Sequence, residues 1–82
     1  MKPAEAKRLA RDHTAEQLEQ AAAELAEERS PTAIEVRGED HGEMLTHVLL
    51  ASRIRAQLDA VDALKDAFRD VMKDVRGVLT NE

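Results

Sequence analysis

From Met44 to Leu79 apolar residues return at every third or fourth position, and no glycine or proline falls between Leu58 and Ala63 to interrupt them. Such spacing is helical, and it commits nearly half of the chain before any other residue is considered. Over the first part of the run Met44, Leu45, Val48, Leu49, Leu50, Ala51, Ile54 and Leu58 occupy most of the helix circumference. Only Thr46, Arg53 and Gln57 form a polar strip. A helix this apolar around its girth is buried on more than one side, as a central helix or at a subunit interface. The second part is amphipathic. Val61, Leu64, Phe68, Val71, Met72, Val75, Val78 and Leu79 share one face, and Asp66, Arg69, Asp70, Lys73 and Asp74 the other.

How the two parts join is open. Asp59 and Asp62 each have the chemistry to cap a new helix. Yet Leu50, Ile54, Val61, Leu64, Phe68, Val71, Val75 and Val78 hold a heptad register through the junction, with Gln57 its only polar member. The expectation is a tight turn near Asp59 to Asp62, because a helical hairpin lets one chain cover its own core. The alternative is a continuous rod whose residues from Leu50 to Val78 form a coiled-coil seam.

Upstream, Pro3 suits the first turn of a short helix, with Ala6, Leu9, Ala10 and His13 on one side. Thr14-Ala15-Glu16-Gln17 fits a capping box and opens a second helix with Ala15, Leu18, Ala22, Leu25 and Ala26 in a narrow stripe. That helix is expected to end near Ser30-Pro31, since proline disfavours helical geometry in the residue before it. Ala33-Ile34-Glu35-Val36 is short and alternating, closed by Gly38, and reads as an extended segment or single strand. A lone strand must pair, and a copy of itself in another subunit is one partner. The expected fold is therefore mainly α: a single domain over residues 1–82, a bundle of about four helices, an extended Ala33–Val36 segment and a C-terminal hairpin.

A chain of 82 residues hides only about two-thirds of its surface on folding, and oligomerisation often supplements so small a core. Its net charge of −5 argues against a nucleic-acid binder, which needs a basic face. With Phe68 the single aromatic residue, base stacking on exposed rings is also excluded. No cysteine is present, so disulfides and thiolate metal sites do not arise. No apolar run is long enough to span a bilayer, and MKPAEAKRLARDH lacks the apolar core of a signal peptide; a cytoplasmic location is the default.

Candidate chemistry gathers in EVRGEDHGEMLTHVLLA, which holds two of the three histidines and four carboxylates. Asp40-His41-Gly42-Glu43 resembles a capping box, with Asp40 as N-cap and Glu43 in the first turn. A second reading makes a metal site of Glu43 and His47, which share a helix face at i, i+4, completed by Asp40 or His41 and suited to zinc or iron. The spacing matches neither HExxH nor the ExxH of di-iron bundles, so the helix-start reading is preferred and no bound metal or cofactor is expected. His47 projects into the apolar arc, where a histidine is usually a hydrogen-bonded core or interface residue. Arg55 lies in the same arc, snorkelling from the helix or paired across an interface. No serine or cysteine nucleophile stands beside a base, and no glycine-rich phosphate loop occurs. No catalytic residue is assigned, and an enzyme is not expected.

Gln17-Leu18-Glu19 followed by IEVRGEDHGEMLTHVLLA resembles a family of short bacterial proteins of unknown function with an IEV-x-GED-x-GE-x-LTHVL signature. The resemblance rests on Gly38-Glu39-Asp40, Gly42-Glu43 and Leu45-Thr46-His47-Val48-Leu49, and it implies an acidic residue where this chain has His41. It brings no activity with it. The functional expectation is a non-enzymatic helical interaction module that self-associates, most simply as a homodimer, with Leu49, Leu50 and Ile54 at the interface and His47 at their edge. The alternatives are a small metal-binding helical protein and an acidic adaptor or antitoxin that binds a larger protein.

Overall fold

The computed structural model describes the backbone of residues 1–80 and the side chains of residues 1–75. It contains three helices, α1 (Pro3–Asp12), α2 (Ala15–Ala26) and α3 (His41–Thr80), and no strand among the described residues. Proline at the start of α1 fixes a helical φ where its missing N–H costs nothing. Ala6, Leu9 and Ala10 of α1 are buried. The helix ends where His13 turns extended and returns its N–H to the Leu9 carbonyl at 3.1 Å.

Thr14 then opens α2 with a complete capping box. The Gln17 N–H donates to Thr14 Oγ1 at 3.2 Å, and the Thr14 N–H donates to Gln17 Oε1 at 3.0 Å. Leu18, Ala21 and Leu25 face the core, with Ala22 half-buried. The expected stripe is thus rotated slightly, and Ala15 and Ala26 are exposed. α2 also stops earlier than the proline at Pro31 requires. Glu28 adopts φ 59°, which lets the Arg29 N–H reach the Glu24 carbonyl at 2.9 Å and the Glu28 N–H reach Leu25 at 3.0 Å. These two bonds are a Schellman closure, made here without glycine.

The third helix corrects the expected hairpin and the count of four helices. α3 runs unbroken for 40 residues. Asp59, one of the two expected caps, is engaged sideways instead, its Oδ1 2.7 Å from Arg55 Nη2 one turn earlier. With no glycine or proline nearby and alanines at positions 60 and 63, the local preference is to continue. Apart from the capping chemistry of Asp59 and Asp62, the argument for a turn was tertiary. Of the heptad residues named above, Val78, together with Leu79, lies outside the described side chains.

The segment between α2 and α3 corrects the expected strand. Ile34 and Val36 are buried, 7% and 8% exposed. Their neighbours' backbone groups, however, pair with side chains of α1 and α3 and not with another strand, so no second subunit is needed to satisfy them. Gly38 is fixed by contact: a Cβ there would sit 2.7 Å from Met44 Cγ and 3.0 Å from the Met44 backbone nitrogen.

α1 lies along α3 in the same direction, its start tied to His47 and its end to Arg55. α2 returns beside it, and both pack on α3 while scarcely touching each other. The core is Leu9, Ala10, Leu18, Ala21, Leu25, Ile34, Val36, Val48 and Ala51, with Met44, Leu45 and Ile54 against it. All of it sits on the first 14 residues of α3, and the molecule measures 64 × 20 × 14 Å. The result is a small head from which the rest of α3 projects.

Candidate functional site

The polar crowd before α3 resolves into structural bonds. Asp40 caps the helix, its Oδ1 accepting the Glu43 N–H at 2.7 Å. Glu43 reaches back to the N–H of Glu39 at 3.3 Å, one residue beyond the position that the capping box predicts. His47 is 1% exposed. Its Nδ1 lies 2.8 Å from the Arg37 carbonyl, and its Nε2 lies 3.0 Å from the Lys2 N–H. A carbonyl can only accept and an amide N–H can only donate. The ring is therefore neutral with its proton on Nδ1, and both nitrogens are occupied by backbone. Among the described residues no three histidine or carboxylate side chains are arranged to hold a metal. His41 is half-buried in the first turn of α3.

Beside His47 lies a pair that sequence reasoning missed. The buried carboxylate of Glu5 receives two bonds from Arg8, Nε to Oε1 and Nη2 to Oε2, both 2.7 Å, and a third from the Arg37 N–H at 2.7 Å. Arg8 Nη2 also donates to the Glu35 carbonyl at 3.0 Å. The Arg8 bonds hold the Glu5 carboxyl below its ordinary value, against the opposing effect of burial and with help from the Arg37 amide. Glu5 in turn raises Arg8. A bidentate pair of this kind is among the stronger charged contacts. Here it clasps the 35–37 segment to α1. Glu24, also buried, does the same for the start of the connection, accepting the Thr32 N–H at 3.0 Å. The available signal was placement: Glu5 stands next to Ala6 and one turn from Leu9, and Glu24 next to Leu25, on faces otherwise apolar.

These side chains line a shallow groove between Lys2, Arg37 and Glu43. The groups that would do chemistry there, Glu5 and His47, are spent on holding backbone. Arg55 is similarly committed, its Nη1 3.1 Å from the Ala10 carbonyl at the end of α1 and its Nε 2.9 Å from Asp59 Oδ1. It pairs within its own helix and caps α1, a role distinct from both that its position suggested. Of the residues expected at an interface, His47 is inside the head, Leu50 and Ile54 are half-buried, and Leu49 is 52% exposed.

The prominent unsatisfied surface lies further along α3. Leu58, Val61, Leu64, Phe68, Val71 and Val75 are 41–69% exposed. All but Leu58 continue two lines that begin in the head: His47, Ile54, Val61, Phe68 and Val75 at one heptad position, and Leu50, Gln57, Leu64 and Val71 at the other. Met72 is half-buried beside them, and Lys65, Arg69 and Lys73 flank the stripe. A long apolar stripe open to solvent is the usual mark of an interaction surface.

This is an all-α protein: a three-element head clasped by buried carboxylates, with a long helix that carries an open heptad stripe. Residues 1–80 match a family of unknown function (DUF6952), and the chain belongs to that family. No curated protein and no solved structure matches the chain. No helix among the described residues is long and apolar enough to cross a membrane.

Proposed function

We propose that the protein is a non-enzymatic, self-associating helical module, and that a second copy docks along the exposed stripe of α3. The observation that carries this reading is the exposure of Val61, Leu64, Phe68, Val71 and Val75 at unbroken heptad spacing on a helix that leaves its own head behind. Most of the stability of a helix in a protein comes from packing of its apolar face and not from propensity, the more so with β-branched residues such as Val61, Val71 and Val75. Packing against a copy supplies the missing support. Covering the exposed parts of these side chains on two helices is worth on the order of 15 kcal/mol. Association itself costs roughly 4–15 kcal/mol, and burial of this size is comparable with what pairing two copies requires.

The interface moves along the helix from the position expected of Leu49, Leu50 and Ile54. The head already covers His47 and much of Ile54 and Leu50, and coverage by a partner becomes necessary from Gln57 onward.

Light scattering of the full chain at tens of micromolar tests the proposal. A dimeric mass is expected for the native chain, and a monomeric mass for Leu64→Asp/Phe68→Asp, with the head still folded by circular dichroism. A monomeric native chain would sink the homodimer. If that monomer then bound a foreign amphipathic helix through Leu64 and Phe68, the adaptor reading would replace it.

A further inference from the structure

We infer that the two copies pair antiparallel, with their heads at opposite ends of the shared helical stem; this rests on the self-association proposed above. One feature of the fold points this way, the position of the head on α3. The heptad line His47, Ile54, Val61, Phe68, Val75 is shared between the head and the stripe. At His47 it is covered by Lys2 and Arg37, and at Ile54 by the core. A parallel partner would lay residues 41–56 of its own α3, together with its own head, against a flank that the first head occupies. An antiparallel partner presents only stem. Each stem runs from about Gln57 to the end of α3, so two reversed stems lie side by side and each stops where the other's head begins.

The charges of the stem do not set the direction: Asp59 and Asp66 stand away from the two heptad lines and pair within their own helix, with Arg55 at 2.7 Å and Arg69 at 3.5 Å. At the heptad positions, Val61 with Leu64 would also suit a parallel dimer, but Phe68 with Val71 does not follow that pattern, and the core residues alone leave the direction open.

The chain has no cysteine, so a single introduced thiol reports unambiguously. Ala23 is exposed on α2 in the head. Ala23→Cys carrying a spin label, in the full chain under conditions where the mass is dimeric, yields one label-to-label distance. At 1.5 Å per residue the antiparallel stem separates the two heads by about 50 Å or more, whereas parallel heads lie within roughly 30 Å. A distance near the longer value, lost when Leu64→Asp/Phe68→Asp abolishes the dimer, is the expected result. A dimeric mass with the shorter distance would overturn the antiparallel arrangement and leave self-association standing. A monomeric mass would remove both.

Discussion

The two halves of α3 have nearly the same apolar spacing and opposite fates. In the first half Val48 and Ala51 are fully buried, and His47 is 1% exposed. In the second, Leu64 is 69% and Phe68 65% exposed. The difference does not lie in the helix. It lies in what returns to cover it: α1, α2 and the 35–37 segment come back over the first half, and no described residue comes back over the second. A heptad pattern therefore reports that a face will be covered, and it is silent on whether the cover belongs to the same chain.

The largest expected effect tests whether the halves are energetically separate. Leu9 is fully buried in the head, and the core it belongs to includes no residue of the stem. Leu9→Ala should lower the head's stability to urea by about 2–5 kcal/mol, a large part of the total for so small a domain. The dimer dissociation constant, measured by dilution of the folded protein, should remain within about twofold, since mutations without shared partners act independently. A tenfold weakening of the dimer would show that the halves form one cooperative unit.

Acid provides a sharper probe of the head. The folded Glu5 carboxyl is held below its ordinary value of 4.5 by the Arg8 pair. Its contribution is therefore fully present above that value and is lost as pH falls through the lowered folded value. Thermal melts should show a loss of stability in this acid window. Glu5→Gln should cost about 1–3 kcal/mol at neutral pH, because the Arg8 charge loses its partner, and it should flatten the acid limb. An acid limb unchanged in Glu5→Gln would place the sensitive carboxylate elsewhere.

How much of this was legible depends on the range of the cause. The capping box at Thr14 and the Asp40 cap are set by residues three apart, and both read directly from the sequence. The alternation of Ile34 and Val36 read as an extended segment or single strand, and no strand forms because the partners of its neighbours' backbone, Glu5, Arg8 and His47, lie 10–32 residues away. Periodicity carries no trace of such contacts. The hairpin failed for a different reason. It assumed that a chain covers its own apolar face, while the local chemistry around Asp59, with its i, i+4 arginine, was already helical. The candidates of the metal reading were legible as a cluster, and only the geometry revealed that His47 faces backbone groups on both ring nitrogens.

The smallest predicted effect concerns the end of α2, where no glycine marks the stop. Glu28 holds φ 59°, a left-handed conformation in which a side chain's Cβ is crowded. The Schellman bonds from Arg29 and Glu28 require that geometry whatever residue supplies it. Glycine populates it freely, and Glu28 is exposed with no side-chain bond among the described residues. Glu28→Gly should therefore raise head stability by about 1 kcal/mol, a gain reduced somewhat by glycine's greater freedom in the unfolded chain. Because Glu28 lies in the head, the dimer dissociation constant should not change. Glu28→Ala provides the control: it also removes the carboxylate and keeps the Cβ, so it should give little of the gain. Equal stabilisation by alanine and glycine would assign the effect to charge and remove backbone strain from the account of how α2 ends.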